Sequence, residues 1–371
     1  MQNPRECAAF RVPMSNPGDT SALEALIADG ALQAEEIVAI FGKTEGNGCV
    51  NDFTRPYAIE TLKGMLAPRL GCSREEVSRR IGMVMSGGTE GGLSPHFLVF
   101  AVRDGQRPAR PGKRLAIGAA VTRPFLPEEI GRMPQIRETA AAVRKAIAAA
   151  DIDSDDDVHF VQVKCPLVTA HRHAEALTRG QRPATHDTYA SMGLSRGASA
   201  LGVGLALGEI AEAALSDNVV CRDLALWSGR ASASAGIELM NNEIIVLGNS
   251  EAWGGDLVIG HAVMTDAIDM LAVHEALAHT GLEASRQLTD AQRNRVRALL
   301  VKAEPSSQGR IRGIRHVMLD DSDILATRHA RAFVGGAIAG LVGRTDLFVS
   351  GGAEHQGPDG GGPVAVIGAM A

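Results

Sequence analysis

The sequence predicts an α+β protein built from three similar units, and three observations carry that reading. A lysine, then a Ser/Thr-Arg pair, then a serine followed by a small residue, Gly and, four positions after the serine, Glu recur three times in the same order. The sets are Lys43, Thr54-Arg55 and Ser86…Glu90; Lys164, Ser195-Arg196 and Ser234…Glu238; Lys302, Thr327-Arg328 and Ser350…Glu354. Two Gly-containing breaks divide the chain, at Asp104–Lys113 and Asn249–Gly255, the first also rich in Pro. Beyond each break the chain restarts alike, Leu115-Ala-Ile-Gly-Ala-Ala-Val121 matching Leu257-Val-Ile-Gly-His-Ala-Val263. A length of 371 residues holds two or three packed units. The expected units are A, 1–105; B, 114–250; and C, 256–371.

Each unit opens with a short apolar strand signal, Ala8–Met14, Leu115–Val121 or Leu257–Val263, followed by a helical pattern at Ser21–Ala28, Ile136–Ala149 or Ala267–His279. A second strand signal then leads to the lysine: Ile37–Phe41, His159–Val163 and Leu299–Val301. Thr54, Ser195 and Thr327 read as N-caps of helices over 55–66, 196–214 and 328–342. An Arg in the first turn opposes the helix macrodipole, and three such placements suggest a compensating task in gripping an electron-rich ligand. Third strand signals, Ile81–Met85, Ala231–Ala233 and Leu347–Val349, run into the serines, and Phe97–Val102, Ile244–Leu247 and Val364–Ile367 close the units. Each unit is therefore α+β with an antiparallel or mixed sheet.

Composition excludes several functions. A net charge of −6, two Trp and two Tyr give neither the basic footprint nor the stacking aromatics of a nucleic-acid binder. The longest charge-free apolar stretches, 197–208 and 332–343, hold about a dozen residues against the roughly 20 that span a bilayer. The N-terminus carries an acid and no apolar run, so a cytoplasmic protein is expected. Five cysteines without a C-x-x-C pair read as buried free thiols rather than a disulfide framework or zinc site.

The repeated set is suited to acyl chemistry. Serine attacks a carbonyl once a base removes its proton, and a lysine serves as that base where burial and neighbouring cations disfavour its charge. Arginines hold ligand oxygens bidentately, and small residues after each serine (Gly87, Ala235, Gly351) let backbone N–H groups approach an oxyanion. Three copies in one order imply one pocket of approximate three-fold symmetry. Asp151–Asp157 lacks the Gly and Glu of a calcium loop and reads as a solvated turn. Gly202-x-Gly204-x-x-x-Gly208 has the wrong spacing for a dinucleotide fingerprint and reads as close helix packing. Ser228 and Ser232 compete with Ser234 but lack the following Gly-x-Glu.

Six stretches, Gly42–Gly48, Val84–Glu90, Ser191–Ser199, Met318–Asp323, Thr327–Arg331 and Val349–Pro358, closely resemble the ring-opening amidohydrolases, the family of cyanuric acid amidohydrolases and barbiturases. The resemblance implies three units about a pseudo-three-fold axis, with sheets forming a central barrel-like core, helices outside, and no catalytic cofactor. It implies that Ser234 is the nucleophile and Lys164 its base. Lys43, Ser86, Gly87, Lys302, Ser350, Gly351, Ala235 and Arg55, Arg196 and Arg328 would bind and polarise the ring. It further implies a structural Mg²⁺ or Ca²⁺ held by Glu304 with Ala353, Gln356, Gly357, Pro358 and Gly361, and a homo-oligomer, a tetramer. The substrate implied is a cyclic imide: cyanuric acid, opened to carboxybiuret that decarboxylates to biuret. Barbituric acid is the alternative, with Ile324–Ala326 the candidate discriminating segment; a non-catalytic anion-binding scaffold is the more distant one.

Overall fold

The computed structural model describes residues 4–105, 111–320 and 323–370. Much of the first break, 106–110, and two residues of the Met318–Asp323 stretch lie outside them. Twelve strands form three separate four-stranded sheets: β1 (Glu6–Pro13), β2 (Ile37–Lys43), β3 (Gly82–Ser86) and β4 (His96–Arg103); β5 (Arg114–Val121), β6 (Val158–Pro166), β7 (Ala231–Gly236) and β8 (Glu243–Ser250); β9 (Leu257–Met264), β10 (Val296–Lys302), β11 (Phe348–Ser350) and β12 (Gly362–Ala369). Every sheet has the order first, fourth, second, third. The second and third strands run parallel and the other neighbours antiparallel, so the sheets are mixed, and a register irregularity falls near the start of the second strand in all three.

The order follows from the connections. Parallel neighbours need a crossover, supplied by α2 (Thr54–Leu70) and α3 (Arg74–Arg80) in the first unit, α5 (Ala170–Thr178) and α6 (Thr188–Ala206) in the second and α9 (Ala326–Val342) in the third. Between first and second strands lie α1 (Ser21–Ala28), α4 (Met133–Ala149), and α7 (Met270–Ala278) with α8 (Asp290–Arg295). Gly202 of α6 lies against α4, where a Cβ would stand 2.6 Å from the Ile136 carbonyl oxygen; close helix packing is the use of that glycine run.

The helix starts correct the sequence reading. Ser195 caps nothing: α6 begins seven residues earlier, where the Asp187 side chain accepts from Ala190 N–H. A carboxylate at the N-terminus satisfies a free amide and complements the dipole, whereas Ser195 points into the packed interior and accepts from Gln135 Nε2. Thr54 and Thr327 stand just inside α2 and α9, capped by Phe53 and Leu325 positions without side-chain bonds. Arg55 and Arg328 are therefore early in their helices, but Arg196 is well within its own.

One hydrophobic core draws on all three sheets, including Phe41 and Phe100, Phe160 and Leu247, and Leu300, Phe348 and Ile367. At roughly 1.5–3 kcal/mol for each fully buried large apolar side chain, this shared centre binds the units together. The second break is also packed: Trp253 is buried, gives its indole N–H to Ala150 O at 2.7 Å and lies under the Arg5 guanidinium, while Gly254 N–H bonds Arg5 O.

Candidate active site

The parallel strand pairs bring the repeated residues together. Lys43 is the register partner of Ser86, Lys164 of Ser234 and Lys302 of Ser350, so each lysine and serine leave neighbouring strands at one level and on one face. All three lysines are fully buried. Lys43 Nζ donates to Ser86 Oγ at 3.2 Å and to the Gly88 carbonyl at 3.1 Å. Lys302 Nζ donates to Ser350 Oγ at 3.3 Å and to the Gly351 carbonyl at 2.9 Å. Lys164 differs: its Nζ meets Glu238 Oε1 at 2.8 Å and Met85 O at 3.2 Å, and no hydrogen bond joins it to Ser234.

The serines converge on a small cavity walled by Ser86, Gly87, Ser234, Ala235, Ser350 and Gly351 and closed by Arg55, Arg196 and Arg331. Ser86 Oγ lies 3.3 Å from Ser350 Oγ, two units meeting across it. Arg328 donates to Asn47 O at 3.1 Å, and the third arginine on the cavity wall is Arg331, one turn further along α9. Arg331 belongs to the Thr327–Arg331 stretch, yet the single-Arg repeat template passes over it. Gly48 and Met192 complete the wall. Asp52 fixes the first loop by accepting from Gly48 N–H at 2.7 Å and Thr54 N–H at 3.0 Å.

The glycine-alanine difference after the serines has a steric cause. A Cβ on Gly87 would stand 1.8 Å from an Asp52 carboxylate oxygen, and one on Gly351 2.2 Å from Thr327 Oγ1. In the second unit no such group crowds the position. Strand β7 instead continues past Ser234 through Ala235 to Gly236, still paired with Cys165 and Pro166, whereas β3 and β11 end at their serines. Ser228 and Ser232 are fully buried, and neither lines this cavity.

Two of the lysines also reach the preceding unit. Lys302 of the third unit donates to Ala233 O of the second, and Lys164 of the second donates to Met85 O of the first; each acceptor directly precedes a repeated serine. Glu354 pairs bidentately with Arg196 at 2.6 and 2.9 Å, and Glu90 pairs with Arg331 at 2.8 Å. Only Glu238 takes the lysine of its own unit. The three glutamates thus divide into two that hold arginines and one that holds a lysine.

Electrostatics separates the copies further. Burial, reinforced by Arg331, lowers the Lys43 ammonium well below its ordinary range, and burial with Arg196 lowers Lys302 to about 7. Against the cost of burial, the Lys164 charge holds Glu238 down at about 2. Glu243, the β8 register partner of Lys164, is raised to about 7 by burial, with Glu238 adding to the rise and Lys164 opposing it. The corresponding place beside Lys43 is His96, a buried imidazole lowered to about 4 by desolvation. Lys164, Glu238 and Glu243 share a second cavity with Lys63 and Met83. No signal in the repeat pattern marks Glu243 or His96, because that position carries a different residue in each unit.

The segment expected to hold a cation lies beside the serine cavity. Glu304 accepts from Gly352 N–H at 2.6 Å, and Ala353 O accepts from Gln356 N–H at 2.9 Å. The Gln356 side-chain oxygen is taken by Ala233 N–H at 2.6 Å. Left-handed His355 and positive-φ Gly357 and Gly360 fold the loop through Pro358 to Gly361 back on itself. Among the described residues no group of three or more His, Cys, Asp or Glu side chains could hold a metal, so a cation here would depend on backbone carbonyls. No helix among these residues is long and apolar enough to cross a membrane.

Known proteins share this arrangement over nearly its full extent. The model of the amidohydrolase ring-opening protein family matches residues 8–369. A cyanuric acid amidohydrolase from Enterobacter cloacae is 58% identical over 365 residues, 98% of this chain and 99% of its own. One from Azorhizobium caulinodans is 59% identical over 361 residues, 97% of each chain. Two solved cyanuric acid hydrolase structures superpose with TM-scores of 0.94 and 0.91, at 53% and 56% identity, the second from A. caulinodans; each covers 99% of this chain, and this chain spans 100% and 99% of theirs. The chain belongs to the ring-opening amidohydrolase family.

Proposed function

We propose that the protein opens cyanuric acid by hydrolysis, with Ser234 as nucleophile and Lys164 as its base. The observation that carries the reading is the convergence on one cavity of three arginines and three serines, each serine register-paired with a buried lysine. Cyanuric acid is a planar ring of alternating carbonyl and N–H groups, so each unit can address one edge. Arg55 and Arg331 each keep a buried Nε without a hydrogen-bond partner among the described residues, donors suited to ring oxygens. Lys43 and Lys302, already bonded to their serines, hold Ser86 and Ser350 in place as donors to the ring.

In the reaction, Lys164, having released its own ammonium proton to solvent on leaving Glu238, takes the Ser234 proton as Oγ attacks a ring carbonyl, and the electron pair moves onto the oxygen, stabilised by arginine and backbone N–H groups. The ring C–N bond then breaks, its nitrogen receives the proton from Lys164, and the acyl-enzyme is hydrolysed by water to carboxybiuret. Loss of CO₂ leaves biuret. Lys164 must exchange its Glu238 contact for Ser234 to begin; catalytic hydrogen bonds commonly tighten only once substrate is bound.

The reading includes a structural Mg²⁺ or Ca²⁺. Glu304 and the carbonyls of Ala353, Gln356, Gly357, Pro358 and Gly361 form the all-oxygen donor set that hard cations take, and the Gln356 amide, committed to Ala233, leaves that residue its backbone oxygen. It also includes a homotetramer, which light scattering of the purified protein checks.

Incubation with cyanuric acid and, separately, barbituric acid, following loss of ring absorbance, tests the assignment. Turnover of cyanuric acid with CO₂ release is expected. Turnover of barbituric acid alone would transfer the reading to that ring, where exposed Leu325 at the start of α9 is the side chain to exchange; turnover of neither would leave a binding scaffold.

A further inference from the structure

Two residues below each repeated lysine and serine, on the same faces of the same strands, lies a second layer. In the first unit it is Phe41 and Val84, and in the third Leu300 and Phe348, all within the shared hydrophobic core. In the second it is Gln162 and Ser232, register partners and both fully buried. Gln162 crosses to β7, its Nε2 donating to Ser232 O at 2.7 Å and also to Val163 O at 3.3 Å. The Gln162 Oε1 and the Ser232 Oγ remain buried without a partner among the described residues. A buried amide oxygen and hydroxyl side by side in an otherwise apolar layer are costly unless something bonds to both.

We propose that Gln162 and Ser232 hold one ordered water beneath Ser234 and Lys164, and that this polar seat makes unit B the unit whose lysine carries charge during the reaction. Water is the ligand of matching chemistry: it donates to Oε1 and exchanges a hydrogen bond with the hydroxyl. When Lys164 takes the serine proton, its new charge lies above a polar layer, whereas Lys43 and Lys302 stand above aromatic and aliphatic side chains. Gln162 and Ser232 are thus positioning residues, acting through Lys164. The inference rests on the assignment of Ser234 and Lys164 as the reacting pair.

The charged and titratable groups around Lys164 and its partner Glu238 are Glu238 itself after β7, Glu243 on β8, and Glu60, Lys63 and Arg55 on α2. They are untouched by Gln162→Leu and Ser232→Ala, which make the layer resemble its counterparts. Each variant is expected to lower kcat about tenfold with KM little changed. Each is expected to move the acid limb of the pH–rate profile about one unit lower, because a drier seat disfavours the charged lysine. Ser232→Thr, which keeps the hydroxyl, is expected to retain activity and profile. A high-resolution crystal structure of the unaltered protein is expected to show the water between Oε1 and Oγ. A dry space there, or an unchanged kcat and acid limb in both variants, overturns the inference; should Gln162→Leu fail to fold, the smaller Ser232→Ala carries the kinetic test. Full turnover in Ser234→Ala would instead overturn the dyad assignment, leaving the crystallographic test of the water intact.

Discussion

The first and third units hold their lysines against their own serines; the second holds its lysine against a carboxylate. Backbone register is the same in all three, so the difference comes entirely from what surrounds each ammonium. Lys43 and Lys302 rest among carbonyls and hydroxyls, and burial and arginines disfavour their charge. Lys164 has Glu238 at 2.8 Å and Glu243 as its neighbour on β8. A repeated backbone thus fixes where the lysine and serine atoms stand, while their surroundings differ from copy to copy; on the proposed reading, that difference decides which copy reacts.

The largest test of this contrast compares the serines. Ser234→Ala should cost roughly 10⁴-fold or more in kcat, as loss of a nucleophile does, while Ser86→Ala and Ser350→Ala, each removing a donor, should cost about 10²-fold; steady-state rates and an unchanged melting profile check this. Equal losses at all three positions would abolish the distinction. Next come the glutamates. Glu238→Gln should reduce kcat about 10- to 100-fold with KM little altered, because it removes the carboxylate that favours the charge Lys164 gains on taking the serine proton. Glu354→Gln, which loosens Arg196, should chiefly raise KM, by about tenfold.

The smallest effect concerns stability. Glu243 holds its proton in the folded chain to about pH 7, whereas the unfolded chain releases it near the ordinary 4.5. The stability it contributes is fully present below that lower value and is lost as pH rises through about 7. Glu243→Gln should therefore match the parent near pH 4 and exceed it at pH 8 by about 1–3 kcal/mol, read from denaturant unfolding at the two pH values. A difference that did not change with pH would remove Glu243 from the account of Lys164's surroundings.

Much of this architecture was legible because repetition marks it. Three lysines, three serines and twelve strand signals recur in order, and both the strands and the convergence of the serines follow the pattern. Register was not legible: no sequence feature states that Lys164 and Ser234 are partners on parallel strands. Ser195 looked like a cap because its residue type suits one, but Asp187 competes better and tertiary packing uses the hydroxyl inside. Arg331 escaped notice since the template allowed one arginine per unit, and Glu243 and His96 since asymmetry leaves no repeat to see. The different partners of the three glutamates depend on distances between units, which spacing along the chain does not encode.

The packing of Trp253 has a bearing on how the molecule comes apart. The segment joining the second and third units is clamped to Arg5 at the start of the first and to Ala150 of the second. Loosening any one unit therefore strips partners from the other two. Heat or denaturant should meet a single cooperative block rather than three beads on a string, and damage at the N-terminal strand should be felt at a junction some 250 residues away in sequence.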